Sequence, residues 1–213
     1  MENIGFLFDL DGVIIDSEPE YSRIWSQIDR EFPTGIESFE KKIKGCTLSK
    51  ILEDNFEESV REAVCNRLHE LEQKMHYEYL PGSFEFLSEL KRRGLPMALV
   101  TSSDNKKMAH LEEEMPGFLK FFDFIVTAEL VSTSKPSPEG YLLAAKQLNA
   151  KPEKCVVFED SLQGVMAGNN AKAYVVGVTG TLGEQPLKPY SDILTDSLEK
   201  LNIDNLIQSL NNR

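Results

Sequence analysis

Ile4-Gly5-Phe6-Leu7-Phe8, closed by Asp9-Leu10-Asp11-Gly12-Val13, is the stretch on which the reading of this chain turns. A strand covered on both faces of a parallel sheet need not alternate apolar and polar residues. The uninterrupted run Ile4–Phe8 therefore reads as a buried parallel strand. Residues i and i+2 of an extended segment point the same way, so Asp9 and Asp11 face one site. Asp and Gly also build turns, and Asp-x-Asp taken alone carries little weight.

Outward from this strand the pattern changes twice. From about Glu18 to Leu80 charged residues are dense and helical patterns follow one another, broken at Pro33-Thr34-Gly35 and Gly45. The spacing of Val60, Val64, Leu68, Leu71 and Met75 predicts a long helix over Ser59–Tyr79. After Pro81-Gly82, helices and strands alternate. Helices are predicted at Phe84–Arg93, Lys106–Met115, Pro138–Leu148 and Leu162–Asn169. Strands are predicted at Pro96–Val100, Phe124–Thr127, Cys155–Phe158, Tyr174–Val178 and Asp192–Leu194, with short terminal helices at Ser197–Leu201 and Asp204–Leu210. This order predicts an α/β fold, a doubly wound, Rossmann-like parallel sheet. The expected division is a core of residues 1–16 and 81–213 with a small all-α cap, residues 17–80, inserted after the first strand. Ligands of such sheets sit beyond the carboxyl ends of the strands, which is where chemistry is to be sought.

Each strand end offers one group. Thr101-Ser102-Ser103, followed by Asp104 and Asn105, stands at a helix start, where hydroxyls ordinarily cap and where an anion can also bind. Lys135 sits in a loop, where lysines are ordinarily solvated. Glu159-Asp160-Ser161 leaves the fourth strand, where an acid is commonly a cap. Taken together they suit one task. Carboxylates from the first and fourth loops could hold a hard divalent cation, which prefers oxygen ligands. The hydroxyl and the lysine could hold phosphate oxygens, and one carboxylate is left to attack.

Composition narrows the class. The 213 residues are 41% hydrophobic and 27% charged, an ordinary globular balance. The formal net charge of −12 repels polyanions, so nucleic acid is not an expected partner. Three cysteines without a CxxC spacing read as reduced thiols of a cytoplasmic protein. The first residues lack the basic and apolar regions of a signal peptide, and no apolar run reaches the ~18 residues of a membrane span.

Phe8-Asp9-Leu10-Asp11-Gly12-Val13, Thr101-Ser102-Ser103, Lys135-Pro136 and Phe158-Glu159-Asp160-Ser161 resemble, in order and spacing, the four motifs of the haloacid dehalogenase superfamily of phosphotransferases. The helical insertion, with Asp16-Ser17-Glu18, Lys44-Gly45 and Pro81-Gly82, is similar to the cap of the beta-phosphoglucomutase and phosphoglycolate phosphatase branch. The resemblance implies Asp9 as nucleophile and Asp11 as general acid and then base. It implies Thr101 and Lys135 as a clamp on the phosphoryl group. It implies Mg2+ held by Asp9, the backbone carbonyl of Asp11, Asp160 and, directly or through water, Glu159. Ser102, Asn105 and Lys44 join Thr101 and Lys135 as substrate-binding candidates. The expected activity is a Mg2+-dependent phosphatase acting on a small phosphorylated metabolite through an aspartyl-phosphate, as a monomer or weak homodimer.

Alternatives were weighed on particular residues. Asp11 and the Glu159-Asp160 pair argue against a dehalogenase, and Asp11 argues against a phosphonate hydrolase using Lys44. A sugar phosphomutase would carry an arginine three residues after Lys44-Gly45, where this chain has Leu48; Asn105 speaks for it. A catalytically silent binding protein would have lost one of the motif residues. His69, His76 and His110 read as ordinary cap or surface residues, the first two on one helix. Trp25 and Tyr21 are expected to pack inside the cap rather than line the substrate cavity. Lys172 stands where the related pattern has glycine, which predicts a positive φ there.

Overall fold

The computed structural model describes residues 3–44 and 46–212, without the side chain of Glu18. Gly45, expected as a helix break and part of a motif, lies outside the described residues. Six strands form one parallel sheet: β1 Asn3–Phe8, β2 Met97–Val100, β3 Phe124–Val126, β4 Ala150–Glu159, β5 Tyr174–Val178 and β6 Ile193–Thr195. Their order across the sheet is β3-β2-β1-β4-β5-β6, so the chain winds outward in both directions from β1. Helices α1 Glu18–Glu31, α2 Phe39–Lys42, α3 Leu48–Asn55 and α4 Glu58–Glu72 precede α5 Ser83–Arg92. Then come α6 Asn105–Glu114, α7 Glu139–Gln147, α8 Leu162–Asn170, α9 Glu184–Leu187 and α10 Ile203–Asn211.

Successive side chains of a strand serve opposite faces. Phe6, Phe8 and Phe158 bury with α5, α6 and α10 on one face, while Leu7 and Val157 bury with α7 and α8 on the other. Phe8 and Phe158 are register partners across β1 and β4, and their rings stack 4.4 Å apart. The Asp9 amide donates to the Phe158 carbonyl at 3.0 Å. This stack places the next residues, Asp9 and Glu159, side by side.

Helices α1–α4 pack on one another within the larger of the two apolar clusters, which also holds Phe6, Phe8 and Phe158. Trp25 meets Phe39 edge-on at 5.8 Å, and Phe39 meets Phe56 at 5.7 Å, with Ile28, Val64 and Leu68 buried around them. The chain enters and leaves this block along paired backbone. The Asp16 amide donates to the Glu78 carbonyl at 2.9 Å, and Leu80 to Ile14 at 2.8 Å, across an Ile15–Tyr79 antiparallel bridge. That pairing corrects the predicted Ser59–Tyr79 helix. α4 stops at Glu72 in a tight turn, where the Lys74 amide donates to Leu71 and that of Met75 to Glu72, after which Met75 and Tyr77 are buried and residues 78–80 pair with 14–16. His76 is therefore not on a helix with His69.

Two smaller differences follow from pairing that hydropathy does not show. β4 begins at Ala150, five residues early, through an irregular pairing of Asn3 with Ala150. Ser197–Leu201 is only a 3-10 turn, Leu198–Lys200.

Lys172 has φ 65°, the left-handed value predicted for it, just after α8. Its amide donates to Asn169 at 2.9 Å and that of Ala173 to Gly168 at 3.2 Å, closing the helix as a glycine would. Such backbone costs a side-chain-bearing residue about 1 kcal/mol, partly offset by the greater freedom of an unfolded glycine. Lys172→Gly is expected to raise the urea midpoint, by roughly 0.5–1 kcal/mol of stability. A lower midpoint would show that the exposed lysine side chain contributes more than the strain removes.

Candidate active site

The carboxyl ends of β1 and β4 meet at a buried cluster. Lys135 lies 7% exposed, with its ammonium 2.5 Å from Asp9 Oδ1, 2.5 Å from Glu159 Oε1 and 3.2 Å from the Val100 carbonyl. Glu159 is fully buried. Its Oε1 also accepts from the Tyr141 hydroxyl at 2.5 Å, and its Oε2 from Ser161 Oγ at 3.1 Å. A Cβ at Gly164 would lie 1.9 Å from that carboxylate, so the first turn of α8 admits Glu159 only because it carries glycine there. Burial alone would lower the Lys135 ammonium, but Asp9 and Glu159 together hold it above its ordinary value.

Asp160 completes the cluster. Its Oδ2 is buried and has no hydrogen-bond partner among the described residues. Gly12, at φ 74°, leaves it room, since a Cβ there would come within 2.1 Å. Asp9, Glu159 and Asp160 each offer one oxygen, all within 4.8 Å of one another. Burial raises Asp9 well above the usual carboxylate range; Lys135 opposes this, while Glu159, Asp160 and Asp11 push it further. Burial and then Glu159 push Asp160 up to about 7. An unsatisfied buried oxygen amid surplus negative charge fits a hard divalent cation. Both Glu159 oxygens are already engaged, so Asp9 and Asp160 are better placed than Glu159 for direct ligation.

Asp11 lies apart from that cluster. Lys107 Nζ donates to both of its oxygens at 2.6 Å, Ser17 Oγ donates to Oδ1, and Ser103 Oγ lies 3.4 Å from Oδ2. Sequence reasoning did not single out Lys107. One signal was available. Lys107 is the third residue of α6, where the positive end of the helix dipole disfavours a cation. Tyr141 and Thr181 were missed as well; the latter's hydroxyl binds Asp160.

A cavity lies above these groups. Asp9, Asp11, Thr101, Ser102 and Asp160 form its floor, and Tyr21, Trp25, Glu40, Lys44, Leu48 and Glu72 line it from the helical side. Thr101 is buried, its Oγ1 accepting from the Ser103 amide at 3.0 Å. Burial lowers the Lys44 ammonium and the carboxylates of Asp160 and Asp11 oppose that, so Lys44 is directed at the acids. Trp25 packs against Phe39, the reading preferred from the sequence, and with Tyr21 it also lines the cavity. Asn105 lies away from these groups. It is exposed, its amide oxygen accepts from Thr127 Oγ1 at 3.2 Å, and it is not among the cavity-lining residues. His69 sits at the seam between α4 and α6, its Nε2 3.0 Å from Asp104 Oδ2.

Comparison with known proteins agrees with this geometry. The family model described as haloacid dehalogenase-like hydrolase matches residues 5–172. Hexitol phosphatase A of Escherichia coli is 34% identical over 205 residues, covering 93% of each chain. A phosphorylated carbohydrates phosphatase of Thermotoga maritima is 33% identical over 78% of this chain and 80% of its own. The crystal structure of a beta-phosphoglucomutase from Clostridium difficile superposes with a TM-score of 0.82 at 27% identity, over 99% of this chain and 98% of that one. With its motifs gathered at the strand ends of this sheet, the chain belongs to the haloacid dehalogenase-like hydrolases, in the branch whose folds resemble the beta-phosphoglucomutases.

Proposed function

We propose that this chain is a Mg2+-dependent phosphatase that hydrolyses a small sugar or polyol monophosphate through a phosphoryl group carried on Asp9. The observation that carries this reading is the pairing at the end of β1. Asp9 is held by Lys135 beside Asp160, while Asp11, two residues on, faces the same cavity from separate partners. Asp9 attacks phosphorus as the bond to the leaving oxygen breaks, and Asp11, protonated on one carboxyl oxygen when substrate is bound while Lys107 keeps the other, gives the leaving oxygen that proton. Asp11 then takes a proton from the water that attacks the aspartyl-phosphate and regenerates Asp9. Lys135 and Thr101 hold the remaining phosphate oxygens.

Asp9, Asp160 and the Asp11 backbone carbonyl would hold Mg2+, with Glu159 behind them. The ion's contribution is positive charge that allows an anionic carboxylate to approach an anionic ester. The substrate class is supported by the names of the relatives and by the cavity wall, where Trp25 offers an aromatic face and Glu40 a carboxylate that can accept from hydroxyls. A sugar phosphomutase is the second reading, favoured by structural neighbours of that name. It needs a second phosphate gripped at once, and Leu48 on the cavity wall has no donor. The division into a core, 1–16 and 81–213, and a cap, 17–80, follows the paired segments at Ile14–Asp16 and Glu78–Leu80. These would be the hinges of a lid that excludes water. No helix among the described residues is long and apolar enough to cross a membrane. A cytoplasmic location is further supported by three unpaired thiols.

Phosphate release from a panel of sugar, polyol and short-acid phosphates, with Mg2+ or chelator, tests the reading. Mg2+-dependent release that Asp9→Asn abolishes is expected. Interconversion of sugar monophosphates without release would make the protein a mutase. A second test uses no substrate. Without metal, Asp160 is held at about 7, above its unfolded value, so its contribution to stability is present at low pH and is lost as pH rises through about 7. Protons also compete with a cation there. Mg2+ is therefore expected to raise the Tm more at about pH 8 than at about pH 5.5, and not at all in Asp160→Asn. An equal rise at both pH values would contradict the assignment of Asp160.

A further inference from the structure

Lys107 is buried at the junction of three elements. Its ammonium grips both oxygens of Asp11 from α6 and lies 4.3 Å from the centre of the Tyr21 ring on α1. The Tyr21 hydroxyl donates in turn to Glu72 Oε1 on α4 at 2.7 Å. Asp11 also accepts from Ser17, where the chain enters α1. The carboxyl group of Asp11 is thus fixed by one cation, and that cation rests on an aromatic face belonging to the helical block. A lysine in the first turn of a helix opposes the dipole, and burying its charge costs several kcal/mol unless it is paired. The place is unfavourable for a lysine without a dedicated partner, and Asp11 is that partner. Lys135, by contrast, sits on Asp9 at the phosphoryl position.

We propose that Lys107 is a positioning residue for the proton transfer. It sets the orientation of the Asp11 carboxyl and, through Tyr21, makes that orientation depend on how the helical cap is seated on the core. This rests on the phosphatase reading, in which Asp11 protonates the leaving oxygen. A sugar or polyol alkoxide leaves poorly and needs that proton. p-Nitrophenolate leaves without it.

The test compares kcat/KM, which reports steps up to loss of the leaving group, for two esters. One is a hexitol phosphate, or whichever sugar phosphate of the panel turns over fastest, and the other is p-nitrophenyl phosphate. Lys107→Met is expected to lower kcat/KM about 100-fold on the alkyl ester and only a few-fold on the aryl ester. Lys107→Arg should recover part of the loss, and the inhibition constant of inorganic phosphate should not move. Tyr21→Leu keeps the ion pair but removes the ring, and should show a smaller loss with the same preference. It decides the matter if Lys107→Met does not fold. Equal losses on both esters, no loss, or a parallel weakening of phosphate inhibition would each overturn the inference. Retained activity in Asp9→Asn would instead overturn the phosphatase reading. An inactive Asp9→Asn beside a Lys107→Met without preference would overturn this inference alone.

Discussion

The ammonium of Lys135 between Asp9 and Glu159 is the interaction on which the rest of the site depends. Three carboxylates buried at two strand ends repel one another, and this ammonium, in direct contact with two of them, opposes that repulsion. Removing one partner from such a buried arrangement leaves an uncompensated charge, at a cost of about 3–5 kcal/mol. The surrounding structure is arranged to keep the three together. The Phe8–Phe158 stack sets β1 and β4 in register, Tyr141 and Ser161 satisfy the remaining oxygens of Glu159, and Gly12 and Gly164 leave space where any side chain would collide with an acid. One lysine does not balance three acids. The residue of that imbalance is the unpartnered oxygen of Asp160, which is what makes a divalent cation the fitting complement.

A second network, separate from the first, surrounds Asp11. The two carboxylates of Asp-x-Asp leave one strand end together yet have different environments. Asp9 is buried among acids and held by Lys135, whereas Asp11 is partly exposed and held by Lys107 and Ser17. Distinct surroundings for neighbouring acids are what a nucleophile and a proton carrier require. The partners of Asp11 are also those that join the helical block to the core. His69 on Asp104, Lys107 on Tyr21 and His110 on the Met75 carbonyl all cross the same seam along α6. Substrate selection and proton transfer are therefore mechanically close in the proposed cap model.

Much of this was legible in the sequence because the chemistry lies immediately after each strand. Asp9, Thr101, Lys135, Glu159 and Asp160 were each found by asking what a strand end offers, and the structure brings them to one place. Lys172 was legible for a different reason: it stands where the related family pattern has glycine, and the helix closes on the same left-handed backbone. What was not legible depends on contacts distant in sequence. Met75 fits the helical period of Val64 and Leu68, but the chain turns after Glu72 and the Met75 carbonyl meets His110 on α6, thirty-five positions away. Lys107 stands out in the sequence only as a cation in the first turn of a helix, and its partner Asp11 lies ninety-six positions away. Asn105 was named from resemblance, and its side-chain oxygen accepts from Thr127, twenty-two positions on, a contact the local sequence does not show.

The central claim is that the phosphoryl group passes through Asp9, and it is tested most directly by trapping. Asp11→Asn, mixed with Mg2+ and p-nitrophenyl phosphate, whose leaving group needs no proton, and quenched in acid, should carry one phosphoryl group, located by mass spectrometry of the proteolysed protein on the peptide that contains Asp9. A slow release of inorganic phosphate with no adduct at any time, or an adduct on another residue, would contradict the account.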